Sequence, residues 1–479
     1  MAGFLPKAIV SVVVFAYGLF NVALYGLIAI KRGLYFKKPT EKQTLELKIA
    51  RDRMWNLSKD YSGLSHHFIT LTNGFKFHLV SNVKPGSPAA LNADKPLVIF
   101  IHGWPDSSGI WRYVAGSPDL QESANVVAID LPGFGGSGRL EKYSATRVLE
   151  HLTELILTLR MKYGVDSDSE SRKKRTIIVA HDWGCVLSMR LASEAPALAD
   201  RWILSNGPLT KMVESNIRRL LTSAKKMLNT ALNSPLSSRT PILQAFRTIS
   251  PILRQLSLSG YIFAMQLPLP LVRYFLTGGN SALMTSIHFN SHGKQKPTPQ
   301  EMADCMSSTM GPSLAESKTQ TADGESYPTG VQYDRDFSKI LDMASYYRHG
   351  AASGRWQKSL ETITGLHSIA GEKVLRRTSS GTGVFDEGVP GALKASSTIV
   401  WGQKDIALDP HLCLDGMANY LVKDSQVVML PQSGHFTPVE KESRAALEAA
   451  TKWAIEGEKG DVQVALQVSF PEAHVVVRR

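Results

Sequence analysis

Short apolar, β-branched segments alternate with helical stretches along most of the chain, and this alternation constrains the fold most strongly. Five such segments have the composition of buried strands, at residues 68–71, 97–101, 126–129, 177–179 and 398–401. Helical periodicity separates them, as between Val148 and Met161, where leucines recur on one face. Strands that alternate with helices predict an α/β fold with a mostly parallel, doubly wound sheet.

The alternation stops between residues 209 and 395, where Pro, Ser and Met are frequent and no clear strand pattern occurs. We interpret this stretch as a helical insertion between a first half of the core at 63–208 and a second half at 396–479. Two tracts inside the insertion, 290–318 and 378–391, are poor in aliphatic residues. Both tracts are predicted to be surface loops or mobile segments.

The tail beyond Gly460 carries Val462, Val464, Leu466 and Val468 at alternate positions. Such alternation is typical of a strand. An additional strand is therefore predicted in the tail, with no function assigned to it.

The first thirty residues contain an apolar stretch from Ala8 to Ile30 without a single charge. Its length matches the ~20 residues needed to cross a bilayer core. It is longer than the apolar region of a cleaved signal peptide, and it ends in Lys31 and Arg32, which do not resemble a cleavage site. Residues 1–38 are therefore predicted to be a single-pass membrane anchor.

Basic residues are more frequent after this stretch than before it, which places the bulk of the chain on the cytosolic side of the membrane. The segment 39–62 that follows mixes apolar and charged residues. It is interpreted as a connector, for which a helix, free or lying on the membrane surface, and a solvated linker both remain open.

The net charge of +12 is spread along the chain and forms no long basic block, so we expect no nucleic-acid partner. Cys185, Cys305 and Cys413 are too widely spaced for a disulfide framework or a metal site, and they indicate a reducing compartment. The glycine-rich run at 133–138 matches a dinucleotide motif only superficially, because no acid ends a second strand ~20 residues later. Neither a cofactor nor a metal is therefore expected.

An acidic residue, Asp182, comes directly after the strand at 177–179 and before helix-forming residues 186–192. The small residues Ala180 and Gly184 flank it at the spacing of a nucleophile elbow, a sharp turn that exposes a nucleophile. The chain contains no G-x-S-x-G motif, which disfavours a serine esterase. A simpler alternative is that this aspartate only caps the following helix.

Backbone donors for an oxyanion are predicted next to Asp182. The turn at 102–105 follows the strand at 97–101, so the N–H groups of Trp104 and Trp183 are expected to converge on one oxygen. An ordinary turn is the alternative for 102–105.

Two further polar residues follow later strands. Asp405 lies beyond the strand at 398–401, and His435 lies beyond an apolar run at 427–430. The order Asp182, Asp405, His435 is that of nucleophile, orienting acid and base in hydrolases that use an elbow. Asp409 is the alternative for the orienting acid.

The motifs at 102–105, 181–184, 401–405 and 434–435 together resemble the epoxide hydrolases of the α/β-hydrolase fold, over about residues 63–455. The resemblance implies that the insertion is a helical cap whose two tyrosines donate hydrogen bonds to the epoxide oxygen. Residues 260–266 and 346–348 are similar to the segments that carry them, which points to Tyr261 and Tyr347, with Tyr346 as the alternative. The long, Ser-rich cap departs from the family pattern.

The resemblance also implies an activity: hydrolysis of a lipophilic epoxide to a vicinal diol, through an ester on Asp182 that water activated by His435 then cleaves. The anchor is similar to that of membrane-bound members, and the endoplasmic reticulum is the expected location. A haloalkane dehalogenase with the same aspartate is one alternative. A catalytically silent binding protein on the same fold is another.

Overall fold

The computed structural model describes residues 4–166, 174–233, 239–332, 336–379 and 389–479. The strands are β1 (Ser65–Thr70), β2 (Lys76–Ser81), β3 (Leu97–Ile101), β4 (Asn125–Ile129), β5 (Thr176–His181), β6 (Arg201–Ser205), β7 (Ser397–Gly402), β8 (Gln426–Leu430) and β9 (His474–Arg478). They form one sheet in the order β1-β2-β4-β3-β5-β6-β7-β8-β9. Neighbours from β4 to β8 pair in parallel, and β1, β2 and β9 add antiparallel edges. The predicted α/β-hydrolase fold with a mostly parallel sheet is confirmed.

Helices surround this sheet and fill the insertion. Those before the insertion are α1 (Phe4–Lys31), α2 (Glu41–Trp55), α3 (Pro88–Asn92), α4 (Pro118–Ser123), α5 (Ala145–Lys162) and α6 (Trp183–Glu194). The insertion contains α7 (Thr210–Asn233), α8 (Arg239–Leu258), α9 (Gly260–Ala264), α10 (Leu269–Asn290), α11 (Pro299–Met310), α12 (Thr329–Gln332), α13 (Ile340–Arg348) and α14 (Leu360–Ser379). The last three are α15 (Pro410–Leu414), α16 (Lys441–Ile455) and α17 (Val462–Gln467).

Apolar layers cover both faces of the sheet, which is why its central strands are continuous apolar runs. Leu97, Ile99 and Ile101 of β3 belong to one buried cluster, and Val98 and Phe100 belong to the other. α5 and α6 pack on the first face, and α16 packs on the second. This packing fixes the carboxyl ends of the parallel strands at one edge, where polar residues follow them.

The structure corrects two predictions, for the tract 290–318 and for the tail, and it decides between the two alternatives for the connector. The tract 290–318 is not simply a loop, because α11 lies within it and begins with a capping box between Thr298 and Glu301. In the tail, residues 462–467 form a helix, and the additional strand lies further on, at β9. The connector is helical, since α2 occupies most of it. Residues 380–388 of the second predicted loop lie outside the described residues.

The helical connector is part of the fold rather than a free linker. Trp55 at the end of α2 is buried, and its indole N–H donates to the carbonyl of Ser307 in α11 at 2.9 Å. Arg51 donates to the carbonyl of Gly311 at 3.0 Å. The hydroxyl of Ser307 on α11 also contacts the sulfur of Met54 at 3.6 Å. The scarcity of aliphatic residues in this tract explains why the sequence was interpreted as a loop.

The N-terminal helix α1 has two different faces. The segment Ile9–Lys31 is long enough and apolar enough to cross a membrane. One face packs on the cap, where Tyr17 donates to the carbonyl of Leu256 at 3.0 Å and its ring meets Phe263 edge-on. The other face exposes apolar side chains such as Val12 and Leu27.

Gly184 is the position where the elbow depends most on the absence of a side chain. A Cβ atom there would lie 2.3 Å from the carbonyl oxygen of Ile101 and 2.6 Å from that of His102. Backbone atoms of a buried strand end cannot move aside cheaply, so we expect Gly184→Ala to lower the free energy of unfolding by about 1–3 kcal/mol. Chemical denaturation of the protein in detergent measures this change.

Gly330→Ala is the matched control, because a Cβ at Gly330 meets no atom within 4 Å. Its free energy of unfolding should stay within about 0.5 kcal/mol of the unsubstituted protein. Equal stability of the two variants would contradict the role given to Gly184.

Candidate active site

Asp182 stands on the turn between β5 and α6 in a strained backbone conformation, with φ of 50° and ψ of −116°. Positive φ in a non-glycine residue is costly and persists only where the surrounding packing enforces it. The side chain makes no capping hydrogen bond to α6. Instead, its Oδ2 accepts a hydrogen bond of 2.8 Å from the N–H of Trp104. The geometry is that of an elbow, not of a simple helix cap.

His435 lies between two carboxylates that follow different strands. Its Nδ1–H donates to Oδ2 of Asp405 at 2.9 Å, and its Nε2 lies 3.5 Å from Oδ1 of Asp182. The other oxygen of Asp405 accepts the N–H groups of Ala407 and Leu408. The structure thus brings together the three residues that the sequence placed in this order.

The alternative acid, Asp409, has a different environment. Its Oδ1 accepts the N–H groups of His411 and Leu412 at the start of α15, and its Oδ2 lies 3.1 Å from Nη1 of Arg254. The carboxylate of Asp409 therefore stabilises the first turn of α15 and forms an ion pair with Arg254 of the helical insertion. Of the two candidates, Asp405 is the one bonded to the histidine.

Asn206 belongs to this arrangement and was missed in the sequence. It follows β6 with a φ of 43° and is fully buried. Its Nδ2 donates to Oδ2 of Asp405 at 2.7 Å, while its Oδ1 accepts the N–H of Gly402 at 3.0 Å. It therefore fixes the carboxylate that orients His435. A polar residue directly after a strand was the available signal, but β6 itself was not recognised.

The two predicted oxyanion donors lie on either side of Gly103. A Cβ atom at Gly103 would lie 2.3 Å from Oδ2 of Asp182 and 2.7 Å from the backbone nitrogen of Trp183. Since Trp104 N–H already binds Oδ2, both amides border the same small space. Only glycine at position 103 leaves that space open.

Tyr261 in α9 and Tyr347 in α13 face the same cavity as Asp182 and His435. Their ring centroids lie 5.8 Å apart. The alternative, Tyr346, is 1% exposed and donates to the carbonyl of Pro132 at 2.9 Å. The structure therefore brings Tyr347, and not Tyr346, to the cavity.

Burial and the nearby negative charge of Asp182 raise the pKa of Tyr261. Burial, Tyr261 and Asp182 raise the pKa of Tyr347 well above its usual value. Both phenols consequently keep their protons at neutral pH. They can act as hydrogen-bond donors inside the cavity.

The pKa values of His435 and Asp182 are coupled through their contact. Burial lowers the pKa of His435, but Asp405 and Asp182 together raise it to about 10. Burial also opposes ionisation of Asp182, yet hydrogen bonding to His435 lowers the pKa of that carboxyl. At neutral pH the resting site therefore contains an imidazolium between two carboxylates.

The cavity beside these residues has a volume of about 300 Å³, and most of its walls are apolar. That volume is at the lower end of what small-molecule sites offer. Val22 and Tyr25 of α1, and Arg32 directly after it, contribute to the lining of the cavity. The sequence did not reveal this because α1 was interpreted only as an anchor. Within the described ranges of the chain, no group of His, Cys, Asp and Glu could hold a metal ion.

Comparison with known sequences supports this description. The sequence model of the Alpha/beta hydrolase family matches residues 98–450. Epoxide hydrolase 3 of Mus musculus is 27% identical over 160 residues, which are 31% of this chain and 38% of that protein. Haloalkane dehalogenase of Bradyrhizobium diazoefficiens is 37% identical over 103 residues, which are 22% of this chain and 29% of that protein. The matches span about a third of the length of these curated relatives.

Among solved structures, a variant of the protein aCif superimposes with a TM-score of 0.51 at 16% sequence identity. The alignment covers 87% of this chain and 97% of that one. At this level of identity the likeness shows the fold alone.

The raised pKa of His435 leads to a direct test in the resting protein. Asp182→Asn removes one of the two negative charges beside the imidazole, so the pKa of His435 should fall from about 10 toward its ordinary value. NMR titration of the histidine ring protons measures this pKa. Asp409→Asn removes the charge that pairs with Arg254 and keeps an oxygen that can cap α15, so it should leave the pKa of His435 unchanged. An unchanged His435 pKa in Asp182→Asn would show that the two groups are not coupled.

Proposed function

The chain belongs to the alpha/beta hydrolase family, and on this premise we propose that it hydrolyses lipophilic epoxides to vicinal diols. One observation carries the proposal: a carboxylate paired with a histidine, and two protonated tyrosines, border the same apolar cavity. Asp182 is proposed as nucleophile, His435 as base, Asp405 as orienting acid, and Tyr261 and Tyr347 as proton donors.

The first step is ring opening. Asp182 is ionised at neutral pH and needs no base to attack an sp³ carbon of the epoxide. As its oxygen bonds to that carbon, the ring C–O bond breaks, and Tyr261 and Tyr347 stabilise the alkoxide by hydrogen bonding. One of the two phenols gives its proton to the alkoxide. The product is a hydroxyalkyl ester on Asp182.

Formation of the ester changes the protonation of His435. The negative charge of Asp182 disappears, so one of the two carboxylates that raise the histidine pKa no longer contributes. The imidazolium can then return a proton to the phenolate left by the first step. The neutral Nε2 that results is a competent general base, still oriented by Asp405.

The second step cleaves the ester. His435 takes a proton from a water molecule, whose oxygen attacks the carbonyl carbon of Asp182. The N–H groups of Trp104 and Trp183 are proposed to hold the oxyanion, with an effect of roughly 3–4 kcal/mol per donor. Collapse of the tetrahedral intermediate expels the diol oxygen, which takes the proton from His435 and leaves Asp182 as the carboxylic acid. Transfer of the acid proton to the neutral His435 then restores the Asp182 carboxylate and the imidazolium of the resting site.

A haloalkane dehalogenase would use the same aspartate and histidine, and one curated relative bears that name. Halide leaves as a stable anion and needs no proton, whereas an alkoxide does. The two phenols that border the cavity therefore favour the epoxide. A silent binding protein is disfavoured by the hydrogen bonds that tie Asp405, His435 and Asn206 together.

We further propose that residues 1–38 anchor the protein in the membrane of the endoplasmic reticulum, with the catalytic part in the cytosol. The exposed apolar face of α1 and the basic residues that follow it support this arrangement. Residues 39–62 then form the connector, 63–208 and 396–479 the two halves of the core, and 209–395 the cap.

An isotope experiment tests the covalent intermediate. In a single turnover in ¹⁸O-labelled water with excess enzyme, the first diol should contain no label, because its new oxygen comes from Asp182. Mass spectrometry of the diol and of the Asp182 peptide gives the answer, with label expected in the peptide. Label in the first diol would exclude an ester on Asp182.

Substitution of the tyrosines separates the two hydrolase activities. Tyr261→Phe and Tyr347→Phe should each lower kcat for an aryl epoxide by about 10²-fold, in line with the loss of a general acid. Tyr346→Phe is the matched control and should remain within about three-fold, because its hydroxyl binds Pro132 outside the cavity. Turnover of haloalkanes that is insensitive to Tyr261→Phe would instead identify a dehalogenase.

A further inference from the structure

The cap packs against the middle of α1, and not only against its end. The hydroxyl of Tyr17 donates to the carbonyl of Leu256 in α8 at 3.0 Å. The rings of Tyr25 and Phe275 meet edge-on, with their centroids 5.7 Å apart. Asn21, between the two tyrosines, is 3% exposed. Protein therefore covers one side of α1 from Tyr17 to Tyr25.

This packing restricts the depth at which α1 can lie in a membrane. Fourteen residues separate Tyr17 from Lys31, the last residue of α1, which corresponds to about 21 Å of helix rise. The hydrocarbon core of a bilayer is only ~30 Å thick. If α1 stood upright with Lys31 at the cytosolic surface, Tyr17 and the cap helix bonded to it would lie beyond the middle of the hydrocarbon.

Charged groups of the cap lie close to this contact. Arg254 is two residues before Leu256 in α8, and its Nη1 lies 3.1 Å from Oδ2 of Asp409. The side chain of Arg254 is half exposed. Transfer of such a group from water into hydrocarbon is costly. An upright α1 would impose this cost, whereas an α1 that lies along the surface leaves the cap and the catalytic residues in the cytosol.

The face of α1 that points away from the cap is apolar. Ile9, Val13, Phe20 and Leu27 are exposed, and their spacing of four and seven residues puts them on one side of the helix. A helix at a membrane surface buries such a face ~5–10 Å deep, between the headgroups and the acyl chains. Because protein covers its other side, α1 can bury this face without crossing the bilayer.

α8 carries a second row of exposed apolar side chains, which we call the α8 stripe. It consists of Ile242, Phe246, Leu253 and Leu256. Their spacing of four, seven and three residues places them on one face of α8. Leu256 is also the residue bonded to Tyr17, so the α8 stripe ends next to α1. Neighbouring exposed apolar side chains of this kind mark an interaction surface.

The charges around the α8 stripe fit an anionic lipid surface. Arg247 and Arg254 each follow a residue of the stripe by one position, which places them on its flank, about 100° round the helix. In α7, which packs against α8, Lys225 and Lys226 are exposed. α8 contains no acidic residue, and α7 contains only Glu214. An apolar stripe bordered by Lys and Arg is typical of a helix that lies on a membrane.

We propose that α1 lies along the cytosolic surface of the membrane instead of crossing it, and that the α8 stripe docks beside it on the same anionic leaflet. This inference rests on the proposed membrane anchoring and differs from the single-pass arrangement predicted from the sequence. It does not depend on the epoxide chemistry. The active-site cavity then lies on the cytosolic side of α1, which lines it.

Cysteine accessibility in sealed microsomes, whose cytosolic face is outward, tests the position of α1. The native cysteines are buried, so the unsubstituted protein gives the background labelling by a membrane-impermeant maleimide. Phe36 is exposed just after α1, and Phe36→Cys is the cytosolic reference. Ala2→Cys should be labelled at a rate within about two-fold of this reference before permeabilisation, because both ends of α1 would lie at one surface.

Labelling of Ala2→Cys only after permeabilisation would show that α1 crosses the bilayer, and it would overturn the proposal. The proposed hydrolysis of epoxides would be untouched by that result, since turnover is measured separately on the same microsomes.

Quenching by brominated lipids tests the α8 stripe in the full-length protein, reconstituted in phosphatidylcholine vesicles with about 30% phosphatidylserine. Phe246→Cys and Leu253→Cys carry an NBD fluorophore. Leu91→Cys is the matched control, because Leu91 is 43% exposed, against 53% for Leu253. The carbonyl of Leu91 binds Lys174 just before β5, at the edge of the sheet opposite to the cap.

Quenching at positions 246 and 253 should be at least about three-fold stronger than at position 91. It should weaken at least about two-fold in vesicles without phosphatidylserine, because the flanking arginines lose their anionic partners. Equal quenching at the three positions, or no effect of phosphatidylserine, would overturn docking on an anionic leaflet.

A second copy of this chain is the other candidate to cover the α8 stripe. In that case the NBD emission would shift to the blue as the protein concentration rises in detergent, and brominated lipids would not quench it. This result would overturn the proposal. Labelling and quenching as expected, without turnover of any epoxide, would remove the proposed function and leave the membrane arrangement standing.

Discussion

The site depends on one buried imidazolium that lies between two carboxylates. Charges in a protein interior are tolerated only when they are paired and hydrogen-bonded, because the loss of hydration is large. Here Asp405 and Asp182 compensate His435. Asn206 donates to the same oxygen of Asp405 as His435 does, and two backbone N–H groups satisfy the other oxygen. The residues follow β5, β6, β7 and β8, so adjacent parallel strands must keep their register for the charges to meet. Fold and chemistry are therefore linked through the edge of one sheet.

The same arrangement explains how a histidine with a raised pKa can serve as a base in the proposed mechanism. In the resting state it stabilises the anionic form of Asp182, which is the form proposed to attack carbon. Once the aspartate is esterified, its charge is gone and the histidine more readily gives up its proton. Nucleophile and base are thus never required to be active at the same time. In the proposed cycle, one of the two buried phenols gives a proton to the alkoxide and then regains a proton from His435.

Sequence patterns predicted those parts of the molecule in which buried segments consist of apolar residues. β3 and β5 are almost uninterrupted apolar runs, so the positions of the residues at their ends could be predicted from the sequence. β6 begins with Arg201, a buried charge paired with Glu458, so its pattern did not resemble a strand and Asn206 was overlooked. α11 was predicted as a loop because its buried residues are mostly Ser, Thr and Cys and include no large aliphatic side chain. The choice between Tyr346 and Tyr347 also required the structure, since neighbouring residues on a helix point about 100° apart.

The contact between α1 and the cap has a consequence for biogenesis. Tyr17 and its partner Leu256 are separated by 239 positions in the chain, so α1 leaves the ribosome long before the helices that it will pack against. With α1 as the proposed membrane anchor, its future inner face, including Asn21 and Gly26, is exposed to the lipid or to the insertion machinery until its partner helices are synthesised. Maturation under this proposal includes a docking event at the membrane, in which the inserted helix receives the late-folding cap.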